Sequence, residues 1–278
     1  MESLNLIKNR IQLIENIKKI TNAMELLATA KFKKIQKEAE VSKTFANSLI
    51  EIVNNSFKNS DLNKYLKQFK QEKKTIYIII GSDLGLCGSY NINIIKKIKE
   101  LVQKKDKIIV FGTKINNFLI NDYNEQIIKK IIHYGDNIEY GILDDVISIL
   151  IDLLMNNEIN EIKIIYTKFI NSVTFNSEVQ TLFPLESKEN DNKKNIDIEY
   201  VPSFKEVVER IVPFFLKATI FNFLIESKIS EMASRRIAME NATSNASDII
   251  VNLKIDYNKR RQADITKEIT EIISGTNN

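Results

Sequence analysis

Apolar residues in the first 55 positions of the chain recur with helical spacing. The segment contains no glycine and no proline, and Ser3 is a suitable N-cap. A helix of about 50 residues extends roughly 75 Å at 1.5 Å per residue, and it needs a partner along most of its apolar stripe. We therefore predict a long N-terminal helix over residues 1–57. Its stripe consists of Leu4, Ile7, Ile11, Ile14, Ile17, Ile20, Met24 and Leu27.

The C-terminal segment, residues 203–278, repeats this helical pattern. Pro213 predicts a kink or a restart of the helix, and the small residues between Ala233 and Ala246 allow another helix to approach closely. Because two long stripes stand at opposite ends of one chain, we predict that they pair. The segment between them returns the chain, so the pair should be antiparallel. The second stripe consists of Leu224 or Ile225, Ile229, Met232, Met239, Ala246, Ile250, Leu253, Tyr257, Ile265, Ile269 and Ile272.

The middle of the chain changes to short β-branched and aromatic runs, as in strands buried on both faces. Strands that alternate with helices indicate a parallel sheet. The predicted fold class is therefore α/β, with a long antiparallel coiled coil of N- and C-terminal helices and a central Rossmann-like α/β domain over 73–201. Strands are predicted at 75–80, 107–111 and 162–166, helices at 91–103 and 143–155, and extended runs at 179–185 and 196–201 around a polar loop at 187–195.

Composition narrows the chemistry. The 278 residues carry a net charge of +4, too small an excess to indicate nucleic acid by itself. Cys87 is the only cysteine and His133 the only histidine, so neither an intrachain disulfide nor a zinc site of His and Cys ligands is expected. Charges interrupt the N-terminus, and no stretch reaches about 18 apolar residues. Any membrane association is therefore expected to come through other proteins.

A glycine-rich loop, Gly81–Gly88, follows the first predicted strand and precedes a helix, where a nucleotide-binding fold holds phosphate. Its glycines are four and three residues apart, which fits neither the dinucleotide fingerprint nor a P-loop. The alternative is that they permit tight turns at the sheet edge. Cys87 and His133 lack a recognisable catalytic partner in the sequence. We predict no catalytic residue, no cofactor and no metal site.

The first 43 residues hold nine basic and five acidic side chains. A basic helix can bind nucleic acid, but no aromatic platform on which bases could stack interleaves these charges. A solvated helix face has the same composition. A nucleic-acid-binding coiled coil is kept as an alternative, and no nucleic-acid partner is predicted.

Four segments resemble, in order, the sequence motifs of the γ subunits of F-type ATP synthases, over nearly the whole length of the chain. They are IKKITNAMELLATAK at 17–31, GSDLGLCGSYN at 81–91, SRRIAMENATSNA at 234–246 and YNKRRQADITKEI at 257–269.

The resemblance implies a non-catalytic rotor shaft whose helix pair stands inside a ring of α and β subunits. It also implies contacts of the α/β domain with the ε subunit and the membrane rotor ring of c subunits, and a peripheral location at the cytoplasmic face of a bacterial cell membrane. Residues matched to family positions that contact a catalytic-subunit loop are Met24, Arg235, Arg261, Gln262, Thr266 and Glu268.

This sequence departs from the family pattern at Asn22, Leu84 and Arg236. These departures leave room for a γ-like shaft of a specialised ATPase that is not coupled to proton transport. An alternative of another class is a nucleotide-binding α/β enzyme with helical arms, which requires the Gly81–Gly88 loop to bind phosphate.

Overall fold

The computed structural model describes residues 3–56, 74–184, 200–201 and 203–276. The chain divides into two compact units, of which the first comprises Met1–Ala30 with Arg235–Asn278 and the second Lys31–Ser234. Two long helices contribute to both units. They are α1, Leu4–Ser56, and the last helix α5, Phe204–Thr276. The prediction of a long helix at each end is confirmed, but α5 continues through Pro213 and does not restart there.

In the first unit the two helices run antiparallel. The hydroxyl oxygens of Thr21 and Thr243 lie 2.8 Å apart, and Glu15 Oε1 lies 3.6 Å from Lys254 Nζ. Residues nearer the start of α1 thus lie beside residues nearer the end of α5. This arrangement confirms the predicted antiparallel pairing.

In the first unit, buried residues of each helix recur at multiples of seven positions, and Ile14, between Ile7 and Thr21, is half-buried. On α1 the buried residues are Ile7, Thr21 and Ala28, and on α5 they are Met239, Ala246 and Leu253. A strict seven-residue repeat is the pattern of a left-handed coiled coil.

The N-terminal stripe predicted from hydrophobicity is wrong at three positions, because Ile17, Ile20 and Leu27 are exposed. Successive steps of three residues fall short of a full helical turn, so the side chains move progressively away from the buried seam. The residues on the seam, Thr21 and Ala28, are small or polar, so hydrophobicity does not identify them.

The same helices are antiparallel in the second unit. Ile35 of α1 packs in one cluster with Ile225 and Met232 of α5. Further along, the rings of Phe45 and Phe214 are 5.9 Å apart, edge to face. Aromatic pairs favour this geometry.

The rest of the second unit is an α/β domain with a five-stranded sheet in the order β3-β2-β1-β4-β5. Its first four strands are parallel and β5 is antiparallel to β4, so the sheet is mixed and not wholly parallel as predicted. The elements are β1 Thr75–Ile80, α2 Tyr90–Leu101, β2 Lys107–Phe111, α3 Thr113–Tyr123, β3 Ile127–Ile131, α4 Asp144–Met155, β4 Glu161–Phe169 and β5 Phe175–Phe183.

The three predicted strands and two predicted helices are present, whereas α3 and β3 were not predicted. The run at 179–183 is the second half of β5. The predicted loop at 187–195, residue 185 and the run at 196–199 lie outside the described residues.

Alternate residues of the central strands face two separate cores. Ile76, Ile78 and Ile80 of β1 pack with α4 and the first part of α5, while Tyr77 and Ile79 pack with α2 and α3. The last helix is therefore one of the layers that cover the sheet, and it passes beside the carboxyl ends of the strands.

Candidate functional site

In an open α/β sheet, ligands bind outside the carboxyl ends of the strands, where the strand order reverses. That point lies between β1 and β4 here, because β1 leads to β2 on one side and has β4 on the other. The glycine-rich segment 81–91 follows β1 at this position. We call the space beside it the switch-point crevice.

The carboxylate of Asp83 places a negative charge in this region. Its carboxylate accepts hydrogen bonds from the Thr113 amide at 3.0 Å, the Thr113 hydroxyl at 2.8 Å, and the amides of His133 at 2.9 Å and Gly135 at 3.3 Å. Burial alone would raise the pKa of Asp83, but these hydrogen bonds outweigh it and lower the pKa below its usual value. The N-terminus of α3, a position suited to phosphate, is thus occupied by a side chain.

The polar residues of the glycine-rich segment bind one another. Asn91 Nδ2 donates to Ser82 Oγ at 2.7 Å and to Cys87 Sγ at 3.3 Å, and the Ser82 amide donates to Asn91 Oδ1 at 3.2 Å. Cys87 is buried within this group. These contacts favour a structural role for the motif.

Two glycines allow β1 and β2 to end close together. A Cβ atom on Gly81 would lie 2.0 Å from Ile115 Cγ1. Gly112 has φ +103° and faces the Gly81 carbonyl oxygen, with only 2.6 Å available for a Cβ. Glycine is required at both positions by this close approach, which favours the tight-turn interpretation of the loop.

The last helix fills the switch-point crevice with hydroxyl groups. The Thr167 amide at the end of β4 donates to Ser227 Oγ at 2.9 Å, and Ser230 Oγ lies 3.1 Å from the Thr167 carbonyl oxygen. Ser234 Oγ donates to the Cys87 carbonyl at 2.6 Å. All three serines are buried, and steps of three and four residues place them on one face of α5. We call Ser227, Ser230 and Ser234 the serine seam.

A chain of ion pairs lies beside the serine seam. Lys228 Nζ is 3.1 Å from Asp136 Oδ1 and 3.2 Å from Glu231 Oε2, and the other Asp136 oxygen pairs with Lys31 of α1. The side chains of Lys228 and Glu231 are only 3% and 2% exposed. Burial alone would raise the pKa of Asp136, but the hydrogen bonds and charges of Lys31 and Lys228 lower it.

Sequence reasoning missed both the serine seam and the ion pairs. The available signal was the run Ser-Lys-x-Ser-Glu-x-x-Ser at 227–234, in which polar residues occupy the face that should be apolar. The partners come from distant parts of the chain, namely β4, α1 and two loops, so periodicity alone does not identify them.

The six residues predicted to contact a catalytic subunit fall into two groups. Arg235 is buried and Met24 is half-buried, in the first unit near the place where α1 and α5 pass into the second. Arg261, Gln262, Thr266 and Glu268 are all exposed near the end of α5. The Thr266 hydroxyl donates to the Gln262 carbonyl at 2.8 Å, within the helix.

We call residues 261–276 the α5 tip. Glu15 lies beside Lys254, and Leu4, the first residue of α1, precedes Glu15 by eleven positions. In an antiparallel pair the start of α1 therefore lies beside about residue 265 of α5. Most of the tip thus extends past the start of α1. Its large apolar side chains are between 46% and 70% exposed and share one helical face, namely Ile265, Ile269, Ile272 and Ile273.

A second exposed apolar surface runs along α1 beside the buried seam. We call its four members the outer apolar row. They are spaced by seven residues and are between 46% and 60% exposed, namely Leu6, Leu13, Ile20 and Leu27. A continuous apolar row of this kind marks a surface that contacts another protein.

Within the described ranges, no group of three or more His, Cys, Asp or Glu side chains is placed to bind a metal ion. Among the same residues, no helix combines the length and apolarity needed to cross a bilayer.

Comparison with known proteins finds full-length relatives. The ATP synthase family model matches residues 3–278. The ATP synthase gamma chain of Mycoplasmopsis pulmonis is 42% identical over 278 residues, with 99% of each chain covered. The gamma chain of Mycoplasmopsis synoviae is 38% identical over 99% of this chain and 98% of its own length.

Solved structures share the fold at lower identity. A chain in the OSCP/F1/c-ring structure of the Euglena gracilis mitochondrial ATP synthase superimposes with a TM-score of 0.72 at 16% identity, covering 98% of this chain and 93% of that one. A chain of the Tetrahymena thermophila central stalk and c-ring structure gives a TM-score of 0.63 at 23% identity, covering 80% and 99%.

Proposed function

This chain belongs to the ATP synthase gamma chain family, and from that premise we propose that it is the central rotor shaft of an F-type ATP synthase. It is a non-catalytic subunit that couples rotation to ATP synthesis or hydrolysis in the surrounding ring. Its partners are the α and β subunits, the ε subunit and the membrane ring of c subunits. The complex is peripheral, on the cytoplasmic face of the bacterial cell membrane, and this chain reaches the membrane only through it.

One observation carries the proposal, namely the outer apolar row together with the apolar face of the α5 tip. Eight large apolar side chains on these two surfaces lie in water unless a partner surrounds the helix pair. A ring of subunits around the pair would cover both at once. A continuous helix pair with a coiled-coil seam is also stiff enough to transmit rotation.

The polar residues of the α5 tip provide the directional part of the contact. On a helical wheel of 100° per residue, Thr266 lies on one side of the apolar face, and Arg261 and Glu268 lie on the other. Gln262 lies within the apolar face, between Ile269 and Ile273. As the shaft turns, each catalytic subunit would meet the apolar face and the two polar edges in succession. We propose that these four residues, with Met24 and Arg235, contact the catalytic subunits.

The same proposal divides the chain into three functional parts. The helices over 1–57 and 203–278 form the shaft, and the α/β domain over 73–201 forms the part that meets the ε and c subunits. The buried contacts of the glycine-rich segment support this assignment, since Asp83 and the serine seam occupy positions that a nucleotide would need.

Assembly with the ring tests the proposal. The double substitution Leu13→Gln and Ile20→Gln removes half of the outer apolar row while leaving the buried seam intact. Loss of two contacts of this size is expected to weaken binding to purified α and β subunits by about tenfold. Binding is measured by titration of labelled chain, and ATP hydrolysis of the assembled complex is measured beside it.

The matched control is Ile170→Gln with Val173→Gln, two exposed apolar residues at the turn between β4 and β5. This variant should assemble as the parent chain does. Equal assembly of both variants would argue against a ring around the helix pair, as would ATP turnover by the isolated chain.

A further inference from the structure

The α/β domain holds both long helices through one carboxylate. Asp136 lies in the loop after β3 and pairs with Lys31 of α1 through one oxygen and with Lys228 of α5 through the other. All three residues belong to the second unit. A single loop of the α/β domain thus binds both helices through charge.

The loop that carries Asp136 is itself fixed to the sheet. The Tyr134 hydroxyl donates to the Gly81 carbonyl at 2.9 Å, and the amides of His133 and Gly135 donate to Asp83. The Tyr134 ring also faces the Lys228 ammonium at 5.4 Å from its centroid. Asp136 is therefore held in place from the end of β1 as well as from the helices.

The serine seam fixes the rotational setting of α5. The hydrophobic effect itself has no preferred direction, so hydrogen bonds add a dependence on angle to the packing of the helix. The hydrogen bond that Ser227 accepts from the Thr167 amide, and those that Ser230 and Ser234 donate to the carbonyls of Thr167 and Cys87, require one face of the helix toward the sheet. A rotation by one residue, 100°, would remove all three.

We propose that Asp136, with Lys31, Lys228 and the serine seam, forms a torsional clamp that makes the α/β domain turn as one body with the parts of the two long helices that lie in the second unit. The inference rests on the proposed rotor function and names the residues through which torque enters the shaft. Lys228 and Glu231 are almost fully buried, so a broken pair leaves an unpaired charge inside the protein. The clamp accordingly resists small angular displacements.

The test measures torsional stiffness in the assembled complex. The ring is fixed to a surface, and a bead is attached to the α/β domain through Lys105→Cys, an exposed position, while Cys87 is buried. Angular fluctuations of the bead are recorded during catalytic pauses. In Asp136→Asn the torsional stiffness should fall by about twofold or more, because a neutral amide cannot balance two lysines. Asp136→Glu should restore part of it.

The control is Glu158→Gln, which breaks the exposed pair between Lys107 and Glu158 without touching either long helix. Its stiffness should equal that of the parent complex. If Asp136→Asn does not assemble, Lys31→Gln at the half-exposed end of the network takes its place and should lower stiffness in the same direction.

Two outcomes separate the clamp from the rotor function. Unchanged stiffness in Asp136→Asn or Lys31→Gln, in a complex that still hydrolyses ATP, overturns the clamp and leaves the shaft in place. ATP hydrolysis that proceeds without rotation of the bead in the parent complex overturns the rotor function itself. A drop in stiffness with hydrolysis retained supports the clamp, since a general loss of fold would remove both.

Discussion

At the scale of single residues, two carboxylates organise the carboxyl edge of the sheet. Asp83 joins the ends of β1, β2 and β3, and Asp136 joins the loop after β3 to both long helices. Each lies where its charge meets several donors, which is why the pKa of both is lowered. The Asp83 carboxylate takes the donors at the N-terminus of α3 that a phosphate could otherwise use.

Removal of the Asp83 carboxylate should destabilise the α/β domain. In Asp83→Ala the amides of Thr113 and His133 lose their acceptor, at a cost of about 2 kcal/mol in the free energy of unfolding. The measurement is denaturant unfolding followed by circular dichroism. Asp122→Ala, an exposed carboxylate at the end of α3, is the control and should change little. Equal stability of the two variants would rule out the bridging role of Asp83.

Acid should weaken the fold through the same two residues. Because the folded-state pKa of Asp83 and of Asp136 lies below the usual value, both favour folding above the unfolded pKa of about 3.9. That stability is lost as the pH falls through the lower folded values. Unfolding measured from pH 5 to about pH 2 should therefore show a steep loss of stability. The slope should be shallower in Asp83→Asn with Asp136→Asn, and an identical slope would contradict the shifts.

At the scale of elements, the helix pair depends on small residues at its seam. Ala28 and Ala246 are buried on facing helices of the first unit, and Thr21 hydrogen-bonds to Thr243 across the pair. Small side chains allow the two helix axes to approach closely. They also explain why these segments read as weakly hydrophobic although they are the centre of the contact.

An enlarged seam residue should separate the helices. Ala246→Leu adds three carbon atoms to a buried position and is expected to cost about 1–3 kcal/mol by overpacking. Ala263→Leu, at an exposed position of the α5 tip, is the matched control and should be neutral. Thermal unfolding of both variants decides the question, and a neutral Ala246→Leu would place Ala246 outside the seam.

The sequence predicts those elements whose pattern is local and strong. The central strands of the sheet are continuous apolar runs, and the long helices lack breakers, so both are predicted correctly. Strand β3 reads Ile-Ile-Lys-Lys-Ile, in which lysines of an edge strand interrupt the apolar signal. The α1 seam was misplaced because Thr21 and Ala28 carry little hydrophobicity.

Only part of the candidate site can be predicted from the sequence. The family motif at 81–91 contains Asp83, Cys87 and Asn91, and the structure places them in two hydrogen-bonded groups, Asp83 with Thr113 and Asn91 with Cys87. The serine seam and Asp136 depend on contacts between residues far apart in the chain. Such contacts leave no periodic trace, so a single sequence does not predict them.

At the scale of the whole molecule, the exposed apolar surface is that of a subunit of a larger complex, because it is concentrated on the helix pair. Both faces of the sheet are covered within the second unit, one by α2 and α3 and the other by α4 with the first part of α5. The helix pair buries one seam but exposes the outer apolar row and the apolar face of the α5 tip. The parts of the chain that face outward are those for which the rotor function requires a surrounding ring.

The place of α5 in the second unit also sets the order in which the protein is completed during synthesis. The strands are finished at Phe183, but one face of the sheet is covered by residues of α5 that emerge later, Val208 to Leu224. The serine seam follows later still. A ribosome-bound chain that ends at β5 therefore carries an open crevice and an apolar face that α4 covers only in part. Translation must continue well past the sheet before α5 can cover this face. During that interval we expect the exposed apolar surface to bind chaperones.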